Sequence, residues 1–429
     1  MTGYEVSFAS RMADIDRAEW DALAAPTGTP LLSWGFLALL EASGSMTSET
    51  GWQGAHLLVR KGGELVAAAP FYIKTHSWGE FVFDFGFAEA AEGAGLAWYP
   101  KLVGMVPATP APAWRVLVRE GEDEGALTAL AIGAAEKAAR EAGLAGMHVL
   151  WPEARTAETL RSLSGGPDRE AARHGARTSG RRSRGLWSEW SHQAFLWQDS
   201  GYGDFAGYLD SFSKNMRRNA RRERGAVAEA GIETRMIRAE EARGYPGLLE
   251  AMAELYDSHN AKFGPWAARF MTREFFTRLP DYMSAGWAIA AAFESGGPAG
   301  ATPADGTVRA GAASGPGAPV ALAFFLEGRD RLYGRFWGSR REVSGLHFEL
   351  CYYLPIEYAL ARGLRYFDPG MGSPHKARRG FRSIDAPSFH MPFDRRLASL
   401  MERVLPEANE SELAEIEALN EELPFKRKR

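Results

Sequence analysis

The sequence predicts an α/β protein with mixed sheets, built as two domains of similar plan, and three observations predict it. The first is a repeated joint. Glu136 to Leu144, ending in Ala142-Gly143-Leu144 and followed by a strand that stops at Pro152, parallels Glu357 to Leu364, ending in Arg362-Gly363-Leu364 and followed by a strand that stops at Pro369. The second is that a hairpin precedes each copy, His56 to Lys74 in the first half and Trp287 to Trp337 in the second. The third is length, because 429 residues exceed one ordinary core. Hairpin, helix, glycine, strand occurring twice is most simply an internal duplication. The expected domains are residues 1–163 and 191–394. A flexible Gly-, Arg- and Ser-rich linker at 164–190 separates them, a Gly/Ala/Pro-rich insertion at about 295–319 lengthens the second hairpin, and 395–429 is a charged helical tail.

Taken in order, Ile15 to Ala24 and Trp34 to Ala42 read as short amphipathic helices, the second capped by Ser33. His56–Arg60 and Leu65–Lys74 flank a Gly62-Gly63 turn. Phe81–Phe85 alternates as a strand, Tyr99–Val103 leads into a Pro-rich loop, and Trp114–Val118 is a further strand. Gly125–Ala142 is strongly helical and feeds Met147–Pro152. In the second half, Ala321–Leu326 and Arg331–Trp337 form a hairpin about Glu327-Gly328-Arg329-Asp330. A helix begins near His347 with Phe348, Cys351, Tyr352, Ile356, Ala359 and Leu360 along one stripe, and Gly363 ends it. Arg365–Asp368 is a short strand broken by Pro369-Gly370, and Gly372–Phe381 is a basic loop.

Composition excludes several classes. A formal net charge of -4 gives no global basic field that would point to nucleic acid. The one cysteine, Cys351, excludes an internal disulfide and any multi-cysteine metal site. Met1 to Trp20 has no apolar signal-peptide core, and no run approaches the ~20 apolar residues of a membrane span. A cytoplasmic setting is the expectation.

One basic stretch stands out against that neutral background. On a helix from Leu209 to Val227, Leu209, Phe212, Met216, Ala220 and Val227 share one face. Lys214, Arg217, Arg218, Arg221, Arg222 and Arg224 fall within an arc of about 160° opposite, while Glu223 interrupts the apolar side. So many like charges within a few turns repel one another, and guanidinium forks pair well with phosphate oxygens. The competing reading is a solvated face with salt bridges elsewhere in the fold.

These residues carry a resemblance. The segment SFSKNMRRNARRERGAVAEAGIE looks like the helix and turn that open the second half of FemAB-like acyltransferases, and LHFELCYYLPIEYALARGLRYFDPG resembles their helix, Gly, strand, Asp, Gly segment. More closely, AWYPKLVGMVPATPAPAWRVLV, LYGRFWG, HFELCYY and HKARRGF resemble a bacterial family of N-acyltransferases grouped with the FemAB peptidoglycan-bridge enzymes. The match covers nearly the whole chain apart from Ser164–Gly185 and Ser295–Pro319. It implies tandem GNAT-like acyltransferase domains and acyl transfer, with no substrate. The chain departs from the pattern at Pro355, where a kink is expected.

Acyl transfer needs a base for the attacking amine and donors for the developing oxyanion. Asp368, at a strand end before Pro-Gly, Glu349, in the first turn of its helix, and His375, in the basic loop, are the candidate catalytic groups. Each has a plainer explanation, as a turn former, a helix-dipole partner and a surface group respectively. Cys351 sits among apolar neighbours and reads as a packed thiol. Phosphate or donor binding falls to Lys214, Arg217, Arg218, Arg221 and Arg222, with Lys376 and Arg379. His347-Phe348-Glu349 lacks the cysteine half of a zinc-deaminase motif, so no metal is expected. No nucleotide-cradling glycine motif is present. The Gly338–His347 region also lacks the glycine loop that the resemblance would require for coenzyme A, which favours an aminoacyl-tRNA donor over acyl-CoA. The sequence therefore points to an N-acyltransferase with no tightly bound cofactor, acting on a small-molecule or peptide amine. A non-catalytic module that binds an anionic cell-wall precursor or RNA is the alternative.

Overall fold

The structure is a computed structural model that describes residues 3–164, 187–264, 267, 269–295 and 317–426. Most of the expected linker and hairpin insertion lies outside the described residues. Two compact units divide the chain, Met1–Ala194 with Ser383–Ala418, and Phe195–Arg382 with Leu419–Arg429. These bounds differ from the expected 163/191 and 394, and backbone pairing is the reason. Ser388–Pro392 bonds antiparallel to Gly146–Val149 on one side and to Ser188–Trp190 on the other. Both segments are thereby strands of the first unit, although composition assigned one to the linker and the other to the second domain.

The first unit holds a four-stranded antiparallel sheet in the order Tyr4–Ala9, His56–Lys61, Glu64–Ala69, Leu117–Val118. A six-stranded sheet runs Trp52–Gly54, Phe71–Lys74, Lys101–Gly104, Gly146–Val149, Ser388–Pro392, Ser188–Trp190. Its one parallel pair is Lys101–Gly104 with Gly146–Val149. Helix Glu124–Glu141 leads into that second strand, capped by Asp123 and burying Leu127, Ala131, Ile132, Ala135 and Ala139. Gly143 turns the chain out of the helix at φ 70°. The strand expected at Phe81–Phe85 is absent, and helix Phe85–Gly93 stands at its end. Phe81 and Phe83 take left-handed φ values of 61° and 52°. The fully buried Asp84 turns in to Lys101 at 2.6 Å, so an ion pair overrides the alternating pattern.

The second unit's sheet runs Ile232–Arg238, Trp287–Glu294, Ala321–Glu327, Arg331–Ser339, Tyr366–Asp368, and then the strand Gln193–Gln198 through Trp197 and Gln198. Here too one pair is bridged in parallel, Arg331–Tyr333 with Tyr366–Asp368. The helix between those strands starts at Leu346 after Gly345 and ends at Gly363, both glycines left-handed. It widens into a π turn over Glu349–Tyr353 and resumes as α-helix with Pro355 in its first turn. Proline lacks an N–H, and a π turn just before it relieves the helix of that missing bond. Leu350, Ile356 and Ala359 of this helix pack with Phe325, Leu332, Phe367 and Phe381 in one core.

The basic stretch is two helices, Phe205–Asp210 and Lys214–Glu229, broken at Ser211–Ser213. Leu209, Phe212, Ala220 and Val227 are buried, as their spacing predicts. Among the described residues no helix is long and apolar enough to cross a membrane.

Candidate active site

The site begins with one extra residue in a strand. Phe325 pairs with Gly334 and Phe324 with Phe336, so Arg335 has no partner across the hairpin and forms a β-bulge. Bulges bend a strand and re-aim a side chain. The parallel pairing to Tyr366–Asp368 stops at Tyr333, two residues before the bulge, while the bulged strand runs on to Ser339. The sheet therefore opens at Arg335, and Asp368 ends the shorter strand at the mouth.

Around that opening the charges are buried. The Asp368 carboxylate is 3% exposed and accepts from Gly370 N at 2.8 Å. It also faces Arg335 Nη1 at the long distance of 3.5 Å. Lys376 donates to the carbonyls of Pro369, Gly370 and Met371 and so clamps the turn that follows Asp368. Burial holds its amine down to about 8, with Asp368 opposing the shift. With all three donors engaged, Lys376 is a support of the turn and not the free phosphate ligand its sequence position suggested.

A wall of rings stands beside the opening. Trp337 meets His347 at 5.1 Å between centroids, and His347 meets Tyr352 at 5.4 Å and His375 at 5.9 Å. His375 is held at both nitrogens, Nδ1 to Ser373 Oγ at 2.8 Å and Nε2 to Tyr352 OH at 3.0 Å. Burial pushes the Tyr352 phenol far up, so it donates and the imidazole accepts. Trp337 and His347 also line a cavity of about 580 Å³ with His259, Lys262, Ser344 and Leu346, at the start of helix Leu346–Arg362. Burial first, and then the nearby His375, Lys376 and Arg379, hold the His347 imidazole down to about 4. His375 falls to about 4 for the same first reason. Both rings are therefore neutral near pH 7, and of the two His375 has both nitrogens engaged. His347, Trp337 and Arg335 were not singled out as site residues from sequence. A bulge and a cavity wall depend on strand register, which no local pattern carries.

The remaining candidates divide. Glu349 is buried and paired with Arg224, Nε and Nη2 both at 2.8 Å, and burial raises its carboxyl. It anchors the basic helix and is not a free base. Arg379 meets Glu223 through Nη2 at 2.8 and 2.9 Å and lies 3.4 Å over the Phe348 ring. That pairing, with Tyr353 OH to Glu223 at 2.6 Å, explains the carboxylate on the helix's apolar side. Arg217 pairs with Asp210 at 2.9 Å. Lys214, Arg218, Arg221 and Arg222 are exposed and have no ion pair among the described residues. The phosphate candidates are thus a four-residue outer stripe, and Arg217, Lys376 and Arg379 leave the set. Among the described residues no cluster of His, Cys, Asp and Glu is arranged to hold a metal ion.

Two units, each with a mixed sheet in which a parallel pair is bridged by a glycine-terminated helix, define the tandem GNAT-like class of α/β fold. Over residues 11–427 the chain matches the FemAB-like family, described as peptidoglycan biosynthesis/recognition, and it belongs to that family. Among solved structures it is similar to the C-terminal domain (DUF2156) of a putative lysylphosphatidylglycerol synthetase from Agrobacterium fabrum. That likeness has a TM-score of 0.50 and 10% identity over 91% of this chain and 95% of that one. FemX gives a TM-score of 0.49 and 12% identity over 90% and 98% of the two chains. At 10% identity the likeness to the synthetase domain speaks for the fold alone. No curated protein matches the sequence.

Proposed function

We propose that the chain is an N-acyltransferase whose reaction centre lies in the unit Phe195–Arg382, beside the opening at Arg335. The observation that carries this reading is the neutral imidazole of His347 on the wall of the cavity next to the opened strands. The family description supports it, since building peptidoglycan calls for amide bonds to amines. In the proposed step a primary amine attacks the carbonyl carbon of an activated ester or thioester. The C–N bond forms, the amine proton passes to His347, and the donor's oxygen or sulfur leaves and takes up a proton. His375, fixed between Ser373 and Tyr352, holds the ring wall in place beside it. Asp368 acts as a positioning group through Arg335 and the Gly370 turn.

For the donor, the outer stripe favours an aminoacyl-tRNA over acyl-CoA. Lys214, Arg218, Arg221 and Arg222 lie at i, i+4, i+7 and i+8, a row about 12 Å long on a helix. None of them lines the cavity. An extended polyanion suits such a row better than one small pyrophosphate does. The test supplies purified protein with primary amines and either aminoacyl-tRNA or acyl-CoA, and reads N-acylated product by mass spectrometry. Product from the tRNA donor, lost in His347→Ala, is expected. Product from acyl-CoA alone would overturn the donor assignment. Absence of transfer from both, with RNA binding retained, would establish the non-catalytic module instead.

A further inference from the structure

Arg335 stands out among the site residues because two of its guanidinium nitrogens have no hydrogen-bond partner, against one, Nε, in Arg379. The Arg335 side chain is 4% exposed, yet Nε and Nη2 are buried without a hydrogen-bond partner. Nη1 donates to its own strand, Gly334 O at 2.8 Å, and faces Asp368 only at 3.5 Å. Buried guanidinium N–H groups left unpaired cost several times what a made bond contributes. The local charge is also unbalanced. Arg335 and Lys376 are two buried cations, and Asp368 is the carboxylate between them, which leaves one positive charge over. All three donors of Lys376 are spent on carbonyls, so the open donors beside the surplus charge are those of Arg335.

The geometry of the free edge says what would meet it. Nε and Nη2 point the same way from a guanidinium and present two parallel N–H groups. The same edge of Arg224 holds Glu349 at 2.8 and 2.8 Å, and that of Arg161 holds Glu189 at 3.0 and 2.5 Å. In both cases the partner is a carboxylate. From the unpartnered edge, its place at the bulge where the parallel pairing ends and the single unmatched charge, we infer that Arg335 is the receptor for the carboxylate of a bound amino acid or peptide. A carboxylate supplies two coplanar oxygens and one negative charge, which match the two N–H groups and the one surplus charge. A phosphate monoester would bring a second charge into a buried site with no further donor to meet it. The edge is closed to solvent in this conformation. Entry therefore displaces side-chain packing at the mouth, and the ligand's apolar or ring contacts with the neighbouring wall must repay that movement.

This inference rests on the acyl-transfer reading only in taking the ligand for a reactant, and a binding measurement keeps the two apart. Titration calorimetry of the full chain with Ala-Ala and with its C-terminal amide is the direct comparison, with glycine, acetate and inorganic phosphate as further probes. The acid is expected to bind at least about tenfold tighter than the amide, the worth of a charge-assisted pair. In Arg335→Gln the two should bind equally, and Arg335→Lys should keep part of the preference. The wild-type comparison needs no variant, so a misfolded Arg335→Gln does not weaken the test. Equal binding of acid and amide by the wild type, or no binding of any carboxylate probe at millimolar concentration, would overturn the inference. So would phosphate displacing Ala-Ala more strongly than acetate does. Failure of transfer activity with the acid preference intact would count against the reaction and leave the carboxylate receptor standing.

Discussion

His347 and Asp368 show how far a single residue's surroundings decide its role. An unperturbed imidazole would lose its basic form below about pH 6.5. His347 is held down to about 4 by burial and by neighbouring positive groups, so it stays a competent base to lower pH. If it takes the amine's proton, kcat/KM referred to the unprotonated amine should be level from neutrality down to about pH 5 and fall with a midpoint near 4. An acid limb centred near 6.5 that survives in His347→Asn would assign the proton to another group. His347→Ala should lower kcat by the ~10²–10⁴-fold of a lost proton-transfer group, and rate measurements at a temperature where the variant is folded check it. Asp368→Asn should behave differently. It keeps an acceptor for Gly370 N but strips the carboxylate that faces both Arg335 and Lys376. Leaving two buried cations uncompensated should cost about 3–5 kcal/mol, read by urea unfolding. A variant of parental stability would mean that water already reaches those charges.

At the scale of elements, the helix Lys214–Glu229 has two faces that should answer mutation in opposite ways. Arg218→Ala with Arg222→Ala removes exposed guanidiniums without ion pairs among the described residues, so stability should change by no more than about 0.5 kcal/mol. RNA affinity should fall, and its dependence on salt should flatten by roughly 0.7–0.9 in log–log slope per lost phosphate contact. Arg224→Ala should leave that slope alone and destabilise the fold, because Glu349 and Glu357 both depend on it. Unfolding curves and salt titrations of the two variants separate the cases. The division of this helix into faces was legible in sequence because a period of 3.6 is a local property. So were the Ser33 and Gly363 caps and the joint from helix to strand. The bulge at Arg335 was not legible, because it exists only relative to Phe324 and Phe325 across the hairpin. The failed strand at Phe81–Phe85 has a similar cause. Its alternation is real, but Asp84 is captured by Lys101, a residue seventeen positions away in the chain. Site chemistry suffered most, since Glu349, Lys376 and Arg379 look like free charges until their partners are known.

At the scale of the whole molecule, the first unit carries a buried ionic cluster whose effect should show in the pH dependence of stability. Lys101 is fully buried between Glu80 at 2.7 Å and Asp84 at 2.6 Å. Lys74 lies 3.5 Å over the Trp52 ring, and burial holds its amine down to about 7. Its folded pKa is below the unfolded 10.5, so its contribution is present above 10.5 and is lost as pH falls through 7. Relative to Lys74→Met, the wild type should therefore gain stability between pH 7 and 10, measured by urea unfolding at each pH. A constant difference across that range would show that Lys74 is charged in the fold at all of these values. The pairing of Ser388–Pro392 between Gly146–Val149 and Ser188–Trp190 has a consequence of another kind. A ribosome releases the chain from its N-terminus, and domains ordinarily fold in that order. Here the earlier unit waits for the later one, because the strand that joins two of its own lies beyond nearly the whole of the second unit. A released chain that ends at Arg382 should therefore be cut faster by protease within Tyr4–Val149 than the full chain is, and equal rates would show that the first unit closes without Ser388–Pro392. Translation must run past Pro392 before the sheet that was begun first can close.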